Sequence, residues 1–81
     1  MTKKGRVTRK FKMAFPAKVL GDPIMYTLAH DLNVVPNICR GRITDKTAWL
    51  EVEIEGKEKH IDMALKYLGE KGVAAEEVIS G

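Results

Sequence analysis

Two histidines, one cysteine and a few opposed charges are the residues of this 81-residue chain that have the chemistry to act. His30 and His60 fall on separate helical segments thirty positions apart, outside the close spacing a metal pair needs. Cys39 has no second cysteine, so it forms no internal disulfide and builds no zinc or iron–sulfur site alone. As a nucleophile it would need a base and a third, orienting group, and the pattern offers none, so it reads as a partly buried strand cysteine. Asp62 and Lys66 stand four apart, the spacing of a surface ion pair on a helix. No glycine-rich phosphate loop is present. This inventory points away from an enzyme and toward recognition without a cofactor.

Three features fit recognition. Trp49 is a lone large aromatic on a strand otherwise rich in glutamate, useful in an interface. Asn37 follows Pro36 and carries an amide that both donates and accepts. Arg40 and Arg42 flank Gly41, spaced to clamp a carboxylate.

Charge is unevenly spread. The overall +3 hides a basic head, because residues 1–21 hold seven of the fourteen bases (Lys3, Lys4, Arg6, Arg9, Lys10, Lys12, Lys18) and no acid. The remainder carries the other seven bases and all eleven acids. With 44% hydrophobic and 31% charged residues, the composition is that of a folded domain rather than a disordered tail. The basic start leads into no apolar signal core, so the expected compartment is the cytoplasm.

The elements that must position these residues follow from periodicity. Val7, Phe11, Met13 and Phe15 share one parity, with Arg9 the exception, which predicts a half-buried strand stopped by Pro16. Asp22 as N-cap and Pro23 at the first helical position predict a helix whose stripe is Ile24, Leu28 and Leu32, with Met25 and Ala29 beside them, ending near Asn33. Val34 to Ile43 reads as a second strand, held to a sheet edge by Pro36. Ile38 and Ile43 lie on opposite parities, and Gly41 is the expected bulge that resets the phase. After a turn at Thr44 to Thr47, Ala48, Leu50, Val52 and Ile54 alternate with Trp49, Glu51, Glu53 and Glu55 until Gly56 breaks the strand. A second helix over Glu58 to Glu70 buries Ile61, Ala64, Leu65 and Leu68 and closes at Lys71-Gly72, before a fourth strand over Val73 to Ile79.

The order β-α-β-β-α-β predicts an α+β, ferredoxin-like sandwich over residues 1–81: a four-stranded antiparallel sheet, order 4-1-3-2, with two helices on one face. Lys10 and Lys12 then lie across from Glu51, Glu53 and Glu55 on the uncovered face, each facing pair contributing ~0.2–1 kcal/mol. That answers most of the basic head and leaves Thr2 to Arg6 unpaired, residues 1–5 forming a flexible basic tip. RNA-recognition domains of this topology stack bases on aromatics in the central strands. Here one tryptophan sits among three glutamates that repel phosphate, so no nucleic-acid partner is expected.

Several of these residues carry a family likeness. Phe15-Pro16, Pro23-Ile24, Asn37-Ile38-Cys39-Arg40-Gly41-Arg42-Ile43, then Leu50, Val52, Ile54 and Gly56, Ala64 to Leu68, Gly72-Val73 and Glu76-Glu77-Val78 follow in order. In that order they resemble the NIL domain, named for an Asn-Ile-Leu signature in its second strand; Cys39 stands where the signature has leucine. The resemblance implies one of two settings. In one, the domain is the ACT-like regulatory end of the ATP-binding subunit of methionine ABC importers, pairs with its copy and binds methionine to inhibit transport. In the other, it forms the N-terminal half of small ferredoxins with two four-iron clusters, linked to homocysteine formation. The run Pro23-Ile24-Met25-Tyr26 and the Arg42-Ile43 ending look closer to the second, whose cluster cysteines this sequence lacks.

The reading that follows is a cytoplasmic, non-enzymatic regulatory domain. Two chains associate through open faces or edge strands, without entering a membrane, and a methionine-like amino acid lies at the junction. Its site is Asn37, Ile38, Cys39 and Arg40, with Trp49 and Arg42 at the interface, and its output passes to a separate partner such as a transporter subunit. The alternative is a docking module without a metabolite, holding a homocysteine-forming enzyme or sulfurtransferase beside a ferredoxin.

Overall fold

Period-two alternation builds the sheet and leaves the sides of its central strands unlike. The computed structural model describes residues 5–19, 21–44 and 46–79. Its elements are β1 (Arg6–Pro16), a 3-10 turn (Ala17–Val19), α1 (Ile24–His30), β2 (Val35–Ile43), β3 (Thr47–Lys57), α2 (Glu58–Glu70) and β4 (Ala74–Glu77). The strands form one antiparallel sheet in the order β2-β3-β1-β4, the expected ferredoxin-like α+β arrangement. Most of the predicted basic tip, residues 1–4, lies outside the described residues, as does Asp45 of the expected turn.

Phe11, Met13 and Phe15 of β1 and Ala48, Val52 and Ile54 of β3 are buried on the helix side. Ile24 and Leu28 of α1 and Ile61, Ala64 and Leu68 of α2 close over them. Removing this apolar area from water is the main stabilising contribution. Ala29, expected beside the α1 stripe, is exposed. The end of α2 is fixed by two backbone bonds: the Gly72 N–H donates to the Gly69 carbonyl, and the buried Val73 donates to Leu68. Gly72 supplies the left-handed φ of 84° that this termination requires.

Four local expectations are corrected. Asp22 does not cap α1: Pro23 occupies the cap with no side-chain bond, and the Asp22 carboxylate accepts from Lys71 at 3.2 Å. β3 does not stop at Gly56 but runs to Lys57, because Gly56 and Lys57 pair with Val7 and Arg6 of β1, and the missing Gly56 Cβ leaves room for Val34. Asp62 reaches Arg9 at 3.6 Å rather than Lys66. Arg6 is not part of an unpaired tip; its guanidinium lies 3.3 Å from Glu55.

Arg9, the exception to the apolar parity of β1, joins three elements. It donates to Glu77 of β4 through Nε and Nη2, at 3.0 and 2.7 Å. Its Nη1 donates to Glu58 in the first turn of α2 at 2.9 Å, and the guanidinium lies 5.3 Å from the Phe11 ring centroid. The hydrogen bonds from Arg9 hold the Glu77 carboxyl below its ordinary range, and the same bonds push the guanidinium further toward its charged form. This two-bond clamp pins the short strand β4.

Candidate functional site

The bulge in β2 sits at Cys39, not at Gly41. Pairing with β3 runs Asn37–Glu53 and Ile38–Val52, then resumes at Arg40–Glu51 and Gly41–Leu50, with Cys39 as the extra residue. The phase reset puts Pro36, Ile38, Gly41 and Ile43 on the helix side, and Val35, Asn37, Arg40 and Arg42 on the open side. Gly41 has a different reason to be glycine. A Cβ there would press into the Leu50 side chain and come within 2.5 Å of the Trp49 carbonyl oxygen.

Ile38 and Ile43 are 52% and 71% exposed despite facing the helix side. Cys39 is exposed rather than partly buried, its Sγ 3.8 Å from the Asn37 carbonyl oxygen. Asn37 and Arg40 therefore share the open face with Arg42 and Trp49, while Ile38 points to the other side and Cys39 occupies the bulge between them.

Register arranges the open face in rows that cross the sheet. One row reads Arg40, Glu51, Lys12, Glu76 from β2 to β4; the next reads Arg42, Trp49, Ala14, Ala74. On the other side lie Asn37, Glu53, Lys10 and then Val35, Glu55, Thr8. Side chains lean diagonally within these rows. Lys10 reaches Glu51 at 3.7 Å instead of Glu53 directly opposite, and Arg40 reaches the same Glu51 at 3.3 Å. The Lys12 ammonium lies 4.9 Å from the centroid of the Trp49 ring.

Glu51 thus serves two cations, and Glu53 forms no ion pair with any described residue. Beside Glu53 is a depression of about 280 Å³ lined by Thr8, Val35, Pro36, Asn37, Glu53 and Glu55. It combines an amide, a hydroxyl and carboxylates, a set that holds an ammonium group; the guanidiniums of Arg40 and Arg42 follow along the same strand. A second hollow, lined by Lys12, Ala14, Trp49, Ala74 and Glu76, lies where small residues of β1 and β4 leave space beside the tryptophan. Glu53 was visible in the sequence only as one of three outward glutamates. Its place beside Asn37 depends on pairing across sixteen residues.

The histidines stay apart from this face. His30 stacks on Tyr26 with ring centroids 5.1 Å apart and bonds Asp31 at 2.7 Å, on the exposed side of α1. Among the described residues, no group of three His, Cys, Asp or Glu side chains is placed to hold a metal ion. No helix among the described residues is long and apolar enough to cross a membrane.

Comparison with solved structures finds the same fold in the C-terminal domain of an ABC transporter ATP-binding protein from Enterococcus faecalis. The match has a TM-score of 0.78 at 19% identity and covers 90% of this chain and 86% of that one. No curated protein matches the sequence. The profile of the NIL domain matches residues 9–77, from the Arg9 clamp through the Asn37 strand to Glu77, and the chain belongs to the NIL domain family.

Proposed function

We propose that this domain is a non-catalytic regulatory module that binds a methionine-like amino acid on its open sheet face and signals through its paired state. The observation that carries this is the Asn37 depression. Glu53, free of other ion pairs among the described residues, stands beside the Asn37 amide, and Arg40 and Arg42 follow on the same strand. A zwitterion fits that order of charges, its ammonium toward Glu53 and Asn37 and its carboxylate toward Arg40. Val35 and Pro36 supply an apolar wall for the side chain. Cys39 acts indirectly, because the bulge it forms keeps Asn37 and Arg40 on one side.

The Enterococcus faecalis neighbour is part of a transporter's ATP-binding protein, and a regulatory role beside such a protein, in the cytoplasm, suits this chain. Binding favours one arrangement of two paired domains, and that preference is what a partner reads. Calorimetric titration with methionine, homocysteine and cysteine tests the reading. Heat is expected with at least one of them, lost in Asn37→Ala and in Glu53→Gln. Absence of heat for all three with the intact protein overturns it.

A further inference from the structure

β2 is the outermost strand of the sheet, and all of its residues but Pro36 are exposed. Among the described residues no strand lies beyond it, so one row of its backbone N–H and C=O groups faces outward. Pro36, which has no N–H, and the bulge at Cys39 interrupt the first half of that row. The stretch from Arg40 to Ile43 is regular and open.

The two sides of this stretch differ. On the helix side, Ile43 borders a hollow of about 130 Å³ lined mainly by apolar groups, among them Met25 of α1 and Ala48 and Leu50 of β3. Gly41 pairs with Leu50 and has no side chain to close the hollow off from the edge. On the open side, Arg42 is exposed and forms no ion pair with any described residue, whereas Arg40 already reaches Glu51.

We propose that an extended segment of a partner protein adds to this edge as a fifth strand, alternating apolar and acidic side chains along Arg40 to Ile43. A large apolar side chain opposite Gly41 passes over the glycine onto Leu50 and Met25, and a second lies against Ile43. The carboxylate between them meets Arg42 on the other side of the sheet. Backbone bonds give such a strand its hold, and the alternate side chains select it. The inner neighbour of β2 follows the same code: β3 sets Leu50 and Val52 beside Gly41 and Ile38, with Glu51 between them at Arg40.

A second copy of this chain does not fit the edge. Two β2 strands paired about a two-fold axis through this stretch set the arginines of one against those of the other, and like charges at facing positions are destabilising. β4, the opposite edge, has only Ala75 and the clamped Glu77 on its helix side, neither of which fills the hollow. The pairing uses neither Asn37 nor Glu53, so a blank titration in the preceding experiment leaves it standing.

A fluorescein-labelled peptide, Thr-Leu-Glu-Leu-Thr-Ser, tests the proposal by anisotropy. Binding is expected to saturate below about 1 mM, with backbone amide shifts in NMR spectra centred on Arg40 to Ile43. Arg42→Glu is expected to weaken binding about tenfold or more, and to bind the peptide carrying lysine in place of glutamate better than wild type does. Ile43→Ser, at an exposed position, is expected to weaken the original peptide as well, and circular dichroism confirms that both variants fold. The reordered peptide Thr-Leu-Leu-Glu-Thr-Ser, which breaks the alternation, is expected to bind about tenfold more weakly. No binding up to about 1 mM, binding indifferent to Arg42→Glu, or amide shifts confined to the open face around Asn37 overturns the proposal. So does a wild-type dimer in sedimentation equilibrium that the peptide dissociates, which would give the edge to a second copy.

Discussion

The central strands of the sheet follow one period-two rule and put it to opposite uses on their two sides. Toward the helices, β1 and β3 present Phe11, Met13, Phe15, Val52 and Ile54, all buried. Toward the open side the same strands present Lys10, Lys12, Trp49, Glu51 and Glu53, where Lys10 and Arg40 of β2 reach Glu51 at 3.7 and 3.3 Å and Lys12 lies 4.9 Å from the Trp49 ring centroid. The first set loses contact with water whenever the chain folds, so its stake in stability is large. The second stays partly exposed, so its internal stake is smaller. Stability and recognition are thereby separated by the thickness of a single sheet.

The sharpest break in this comparison comes from two isoleucines on the same side. Ile54→Ala is expected to cost about 3 kcal/mol in urea unfolding, because Ile54 is fully buried. Ile43→Ala, at 71% exposure on the edge strand, is expected to stay within about 0.5 kcal/mol. Equal costs would show that side of the sheet alone, not burial, decides stability.

Next in size is Gly41→Ala, expected to cost about 2 kcal/mol, because its Cβ meets the Leu50 side chain and the Trp49 carbonyl. A smaller and pH-dependent effect belongs to the Arg9 clamp. Glu77 in the folded chain titrates below its ordinary 4.5 because Arg9 donates to it. Its contribution is therefore complete above that value and fades as pH falls through the lowered one. Glu77→Gln is expected to lower the urea midpoint at about pH 7 and to converge on wild type as pH falls below the lowered value. A gap that widens in acid would refute the clamp. Least of all, Lys12→Ala is expected to cost about 0.5 kcal/mol in dilute protein while shifting Trp49 fluorescence. A cost near that of Ile54→Ala would erase the distinction between the two sides.

What could be read in advance follows the same division. The alternation from Ala48 to Glu55 and the stripe of Ile61, Ala64 and Leu68 are local patterns. They were enough to predict the sheet order, the helices and the pairing of basic β1 with acidic β3. The misses all depend on partners distant in sequence. Asp22 looks like a cap until Lys71, 49 positions away, takes its carboxylate. Arg9 looks like a fault in an apolar run until Glu58 and Glu77 arrive from α2 and β4. At the candidate site, Asn37, Arg40, Arg42 and Trp49 could be singled out by type, but Glu53 only by register. Gly41 drew the bulge to itself because glycine tolerates one; the structure uses its missing side chain for clearance instead.

The bulge at Cys39 divides β2 into two segments written in opposite reading frames. Each is an ordinary alternating strand, and the single unpaired residue splices them. Replacing Cys39 with another small residue leaves the splice intact, and deleting it joins Ile38 to Arg40 as one regular alternating strand in the same register with β3. Arg40 and Arg42 would keep the open face and Gly41 the helix side, whereas forcing Cys39 into the ladder would turn both arginines beneath the sheet. The bulge thus absorbs one added residue that would otherwise turn the downstream half of β2 over.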